Sequence, residues 1–197
     1  MLKRLFDLLV STLGLIILAP FFLLIGLIIK LDSPGPVFYL QERVGKNGAL
    51  FTLFKFRTMR IDSDKAAAIT IGERDSRITR IGYWLRKFKL DELPQLINAW
   101  KGEMSLVGPR PELKKFVDLY SAAQRRVLSV KPGITDYASI QFRNENKLLE
   151  GKDDPIDFYV REIMPVKLQL NMKYIEQQSF WQDIKIIFQT IVSIFTD

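Results

Sequence analysis

Histidine and cysteine are both absent from this 197-residue sequence. Without histidine the commonest general base and metal ligand is missing, and without cysteine there is neither a disulfide framework nor a thiolate zinc site. Any catalysis must rest on carboxylates, Lys, Arg, Tyr or hydroxyl groups. No glycine-rich GxxxxGK loop occurs, which argues against a P-loop nucleotidase. Internal repeats, low-complexity tracts and long linkers are also lacking, so a chain of this length is expected to form one domain plus an anchor.

What the sequence does have is positive charge and a long apolar run. Lysine and arginine number 29 against 22 acidic residues, giving a formal net charge of +7 and a pI near 9.6. That balance favours anionic partners, whether nucleic acid, acidic lipid headgroups or phosphorylated small molecules. From Leu8 to Ile29 there is no charged residue, and a helix of roughly 20 apolar residues matches the hydrocarbon thickness of a bilayer. The run continues through Phe21-Phe22-Leu23-Leu24, beyond a signal-peptide cleavage point, so it is read as retained. Pro20, near its midpoint, predicts a kink, because it removes a backbone hydrogen bond and crowds the preceding turn. Lys3 and Arg4 precede the run and Lys30 follows it, so neither end is favoured as the cytoplasmic one. A single span fits the length. A kinked helix that dips in and returns to the same face fits the proline and the charges as well.

Residues 1–31 are accordingly read as membrane-inserted and residues 32–197 as the globular part. Asp32-Ser33-Pro34-Gly35-Pro36 must break the helix. Val37-Phe38-Tyr39-Leu40 and the stretch from Leu50 to Met59, with Gly45-Lys46-Asn47-Gly48 between them, predict a β-hairpin in which Lys55 and Arg57 share a face. Beyond Asp62 the pattern turns helical. Leu113, Phe116, Val117, Tyr120 and Val127 recur at helical spacing and predict a helix packed on the core. Trp181, Ile184, Ile187, Phe188, Ile191, Ile194 and Phe195 form the apolar stripe of a C-terminal amphipathic helix, suited to closing a core or to lying in a membrane interface. The expected fold class is α+β, mainly helical, with a small hairpin, seated on a membrane helix.

Chemistry concentrates in Lys89-Leu90-Asp91-Glu92-Leu93-Pro94-Gln95-Leu96, which has the form of a helix start with Asp91 at or near the N-cap. Taken alone, that is an ordinary cap. Its surroundings are not ordinary: Arg74, Arg77, Arg80, Arg86, Lys87 and Lys89 crowd the upstream side, and Gly108-Pro109-Arg110-Pro111 follows. Proline on each side of Arg110 restrains the backbone that aims one guanidinium, a group that binds phosphate bidentately. Adjacent carboxylates among cations suggest a division of labour, one attacking phosphorus and the other holding a magnesium ion that bridges substrate phosphates.

With these residues in view the chain resembles the bacterial sugar transferases, the small monotopic phosphoglycosyl transferases. The matching stretches are Pro36-Val37-Phe38 to Gln41-Glu42-Arg43-Val44-Gly45, Lys55-Phe56-Arg57-Thr58-Met59, Leu90-Asp91-Glu92-Leu93-Pro94-Gln95, Gly102 to Pro111, and Lys131-Pro132-Gly133-Ile134-Thr135. The resemblance implies a re-entrant amino-terminal helix and a catalytic domain on the cytoplasmic face of the bacterial inner membrane. It implies transfer of a sugar-1-phosphate from a UDP-sugar to undecaprenyl phosphate with release of UMP, the step that initiates glycoconjugates such as exopolysaccharide or lipopolysaccharide. By the same resemblance Asp91 is the nucleophile that carries a phosphosugar, Glu92 serves Mg2+, Arg110 and Arg86 handle phosphate, and Arg57 matches a basic position. The chain departs from well-known members at Ala19-Pro20, where they carry Ser-Pro. It departs again at Asp136 to Gln141, after which Arg143 and Asn144 match a sugar-nucleotide contact. Partners are thus a UDP-sugar, undecaprenyl phosphate and membrane lipid, with no nucleic acid. Two rivals remain from the residues alone: a non-catalytic basic module tethered to the membrane, and a magnesium-dependent phosphodiesterase or pyrophosphatase in which water replaces the carboxylate nucleophile.

Overall fold

The apolar run becomes one helix, α1 (Leu2–Asp32), that continues through Pro20. This computed structural model describes residues 1–61, 71–72 and 75–196; Arg74 of the basic cluster lies outside the described residues, as do the side chains of Ile194 and Phe195. Only 11% of the most apolar stretch of α1 is buried inside the protein, so the helix is long and apolar enough to cross a membrane and is no core helix. Both of its ends are nevertheless docked on the globular part. Near the start, Phe6 and Val10 join a core cluster with Ala99, Leu106, Val107, Tyr174 and Ile186. Near the end, Phe22, Ile25 and Ile29 pack with Phe56 and Leu85.

The hairpin is present as expected. Strands β1 (Phe38–Val44) and β2 (Leu50–Phe56) pair antiparallel from Phe38 opposite Phe56 to Val44 opposite Leu50. Asn47 and Gly48 take the left-handed backbone that closes the turn, φ 57° and 81°. Beyond it come α2 (Arg80–Lys87), α3 (Gln95–Lys101) and the short strand β3 (Ser105–Val107), which pairs in parallel with β4 (Gly133–Thr135). Just past the end of β3 and at the first residue of β4 the backbones touch: a Cβ on Gly133 would stand 2.1 Å from the Gly108 nitrogen, so no larger residue fits.

The helix expected over Leu113 to Val127 is two pieces instead, α4 (Lys114–Val117) and a 3-10 segment Gln124–Ser129. Its apolar residues still reach one core, with Phe116, Val117, Tyr120 and Val127 packed on Tyr159, Met164 and Leu168. Burial needed the residues in one place, not in one helix. Small helices α5 (Tyr137–Gln141), α6 (Glu145–Leu149) and α7 (Pro155–Phe158) lead into α8 (Met164–Glu176) and α9 (Phe180–Phe195).

Helix α9 is rotated relative to its apolar stripe. It buries Asp183 and Ile186, while Trp181 is 78% and Phe188 67% exposed. Polar ties set this rotation: Asp183 receives Lys3 Nζ at 2.6 Å and the Tyr174 hydroxyl at 2.7 Å, and Thr190 meets Thr135 at 2.6 Å. These polar ties at a buried Asp183 fix the helix face more strongly than the apolar stripe does.

The amino-terminal turns of α1 also grip β3. Asp7, almost fully buried, accepts the Ser105 hydroxyl at 2.8 Å and the Leu106 amide at 3.1 Å, while Lys3 Nζ donates to the Val107 carbonyl at 2.9 Å. Replacing Asp7 by Ala leaves both donors buried without an acceptor. The expected loss is about 3 kcal/mol of unfolding free energy, read from denaturant midpoints in detergent; a loss below about 0.5 kcal/mol, the scale of an ordinary surface change, would show that the grip is incidental.

Candidate active site

At the end of α2, Lys89 adopts a left-handed backbone with φ 56°, turning the chain into a 3-10 segment, Leu90–Glu92. Helix α3 begins only at Gln95, behind Pro94, and has no side-chain cap. Asp91 is therefore not the N-cap that the sequence pattern suggested; the tight 3-10 winding separates it from the first turn of α3. Its carboxylate instead forms part of the wall of a cavity of ≈ 590 Å³, beside Glu92, Lys55, Arg86, Lys89 and Arg110. That volume suits a nucleotide-sized ligand.

The two carboxylates are held differently. Arg110 forks onto Glu92, Nη1 donating to Oε2 at 3.0 Å and Nη2 to Oε1, and Lys55 Nζ donates to Oε1 at 3.3 Å. Among the described residues none donates a hydrogen bond to the Asp91 side chain. Burial opposes ionisation of Glu92, yet Arg110 and Lys55 outweigh it and hold its carboxyl well below the usual range. For Asp91 the balance is reversed. Burial, then the negative charge of Glu92, push its carboxyl up against the weaker pull of Lys55, Arg86 and Lys89. Burial also lowers the Lys55 ammonium to about 8, opposed by Glu92. The result is one clamped carboxylate held well below the usual range next to one that no described residue hydrogen-bonds and that is pushed above it.

Six of the seven site residues expected from sequence line this cavity: Asp91, Glu92, Arg86, Arg110, Arg143 and Asn144. Arg86 is steadied by Thr58, whose hydroxyl accepts from Nε at 3.0 Å. Arg143 and Asn144 come in from the end of α5 and the start of α6, on a wall shared with Ser139 and Phe142. Arg57 is the exception. It is buried elsewhere, its guanidinium donating to the carbonyls of Pro34 at 2.5 Å and Ser33 at 2.8 Å, where it secures the exit from α1. Strand β2 ends at Phe56, so the alternation that placed Lys55 and Arg57 on one face stops between them. Lys55 is the residue that reaches the dyad, and the sequence reading did not count it as part of the site. Lys89, from the basic cluster next to the dyad, lines the cavity too, and Lys167 and the α9 residues Thr190 and Ser193 do so without any local motif to mark them.

No cluster of three or more metal-ligating side chains occurs among the described residues. Magnesium commonly takes only one or two protein carboxylates and completes its shell with phosphate and water oxygens, so the Asp91-Glu92 donor set fits that ion. Both oxygens of Glu92 already receive hydrogen bonds from Arg110 and Lys55, so an ion there would share that carboxylate with two cations.

The bacterial sugar transferase family profile matches residues 1–197. The chain is 44% identical over 200 residues to the undecaprenyl-phosphate glucose phosphotransferase of Komagataeibacter xylinus, an alignment covering 96% of this chain and 35% of that protein. It is 37% identical to the UDP-N-acetylgalactosamine-undecaprenyl-phosphate N-acetylgalactosaminephosphotransferase of Aeromonas hydrophila, covering 98% of this chain and 44% of that one. To the UDP-glucose:undecaprenyl-phosphate glucose-1-phosphate transferase of Caulobacter vibrioides it is 36% identical, over 98% of this chain and 70% of the relative. The chain thus spans less than half of the first two relatives and matches them along nearly its whole length. A full-length profile match, carried by a chain whose acidic dyad and Pro-Arg-Pro segment meet in one cavity, places this protein in the bacterial sugar transferase family.

Proposed function

We propose that this protein transfers a sugar-1-phosphate from a UDP-sugar to undecaprenyl phosphate through a covalent intermediate on Asp91. The observation that carries the reading is the asymmetry of the dyad: Glu92 is pinned by Arg110 and Lys55, while Asp91 presents an unbonded, unusually basic carboxylate to the cavity. An Asp91 oxygen attacks the phosphorus that bears the sugar, and the bond from that phosphorus to the oxygen bridging it to UMP breaks. UMP leaves and an acyl phosphate remains. A phosphate oxygen of the lipid then attacks the same phosphorus, the acyl-phosphate bond breaks, and Asp91 is restored. No proton is consumed in either displacement, so the lack of histidine is no obstacle.

Arg110, Arg86 and Lys89 supply cations to phosphate oxygens on which charge builds up. Arg143 and Asn144 stand at the other wall, toward the sugar or the nucleoside. Magnesium, held by Glu92 together with substrate phosphate oxygens, would neutralise phosphate charge and leave Asp91 free to attack. The relatives are named for glucose and for N-acetylgalactosamine but share the undecaprenyl-phosphate acceptor, which supports the acceptor assignment.

The same reading places the domain on the cytoplasmic face, with α1 entering and leaving there. Gly14 packs on Leu96 and Phe22 on Phe56, so both halves of α1 rest on one body. Residues 15–21 between them amount to ~10 Å of helix, well short of the ~30 Å of a bilayer core.

Three outcomes are expected. Wild-type protein given a UDP-sugar without lipid acceptor gains the mass of a sugar phosphate and releases UMP in a burst, whereas Asp91→Asn stays folded and does neither. Free sugar phosphate as the product would point to hydrolysis, and turnover by Asp91→Asn would remove the covalent step. For pH dependence, kcat/KM rises as Asp91 loses its proton and falls as Lys55 loses its own near pH 8. Lys55→Arg keeps its charge and should move that alkaline limb upward; an unmoved limb would assign it to another group. Finally, cysteines placed at Lys3 and Asp32 should both react with a thiol reagent from the cytoplasmic side only, and labelling from opposite sides would establish a full span.

A further inference from the structure

We propose that Asp136 is a positioning residue for the reaction, tying the backbone of Arg110 to the start of α5 so that the phosphate clamp and the far wall of the cavity move as one unit. The substrate assignment in this inference rests on the transfer reading above, while the tie itself is geometric. Pro109 and Pro111 have no N–H, so the Arg110 amide is the single main-chain donor of the Pro109–Pro111 segment. That donor goes to Asp136 Oδ2 at 3.1 Å. The other oxygen, Oδ1, accepts the Ser139 amide at 2.5 Å and caps α5.

Asp136 is completely buried. A Ser or Asn would cap α5 equally well without burying a carboxylate, so capping alone does not account for the residue. What the carboxylate adds is a second acceptor atom on the opposite edge of the same rigid plane. Neighbouring ties stiffen the bridge, since Gly108 donates to Thr135 and Gly133 to Pro109, each at 3.0 Å. From one end of it the Arg110 guanidinium reaches Glu92; from the other, α5 carries Ser139 and leads on to Phe142 and Arg143 in the cavity wall. Slippage between the two would change the span over which a nucleotide sugar is held, and a misplacement of ~1 Å can cost on the order of a hundredfold in rate.

The test uses the full chain with its membrane helix in detergent. Asp136→Asn keeps an oxygen for Ser139 and sets an NH2 against the Arg110 N–H; Asp136→Ser keeps the cap and leaves that N–H unpaired. Amide exchange at Arg110 in the unliganded protein should accelerate about tenfold or more in both variants, with hairpin amides unchanged. With UDP-sugar, kcat/KM should fall about tenfold in the Asn variant and less in the Ser variant. On an Arg110→Lys background, Asp136→Asn should cost less than about twofold further, because both changes act through one side chain. Unchanged exchange at Arg110, or losses that multiply in the double variant, would overturn the proposal. Should Asp136→Asn not fold, Asp136→Ser carries the same readouts. Failure of the transfer reading is a separate result: wild-type protein would release UMP from no UDP-sugar, and exchange at Arg110 would then decide the role of Asp136 by itself.

Discussion

Glu92 sits between a guanidinium and an ammonium in a cavity where burial works against every charge, and the pairing is what makes the rest of the site possible. A lone buried carboxylate takes up a proton; one forked by Arg110 and approached by Lys55 does not. Because Glu92 stays ionised, its neighbour Asp91 feels an adjacent negative charge and holds its own proton more tightly. The same pair occupies Arg110, so the guanidinium proposed to meet phosphate is held in one orientation in the unliganded protein. Burial raises the Asp91 carboxyl first, and the ion pair adds to it through the charge it keeps on Glu92 while also orienting one arginine.

That arginine is placed by a chain of contacts that begins in α1. Asp7 and Lys3 hold β3 through Ser105, Leu106 and Val107, and the chain passes from Val107 through Gly108 and Pro109 to Arg110. Lys3 also reaches Asp183 of α9, whose Thr190 and Ser193 line the cavity. An apolar anchor that merely tethered the domain would need none of these polar ties. Here the buried Asp7 carboxylate and the Lys3 ammonium find their side-chain partners in the globular part, so the helix and the site fold as one structure.

Local patterns were legible in the sequence and remote pairings were not. The hairpin could be read because strand alternation and a Gly-Lys-Asn-Gly turn are properties of neighbouring residues. The dyad and the Pro-Arg-Pro segment stood out because unusual residues lie side by side. What went astray depended on partners far along the chain. Arg57 shares a short motif with Lys55, yet its fate was set by two carbonyls at the end of α1. The orientation of α9 was set by Lys3 and Tyr174, which outweighed an apolar stripe. The segment from Leu113 to Val127 kept its apolar spacing but not its helix, since two short pieces bury the same side chains.

A carboxylate nucleophile fits this inventory of residues for a physical reason. A serine or water nucleophile must lose a proton as it attacks, and a chain without histidine has few groups to take it. Asp91 has no such need once ionised, but an ordinary aspartate is a weak nucleophile, and one stabilised by hydrogen bonds or a helix terminus would be weaker still. The departure from the N-cap geometry is therefore consequential. In the proposed reaction, placing Asp91 in a 3-10 turn beside Glu92, away from the amides of α3, leaves its anion less stabilised and its oxygen more reactive. On that proposal the surrounding cations serve the phosphates more than the nucleophile, so electrostatic stabilisation is directed at charge that appears during reaction.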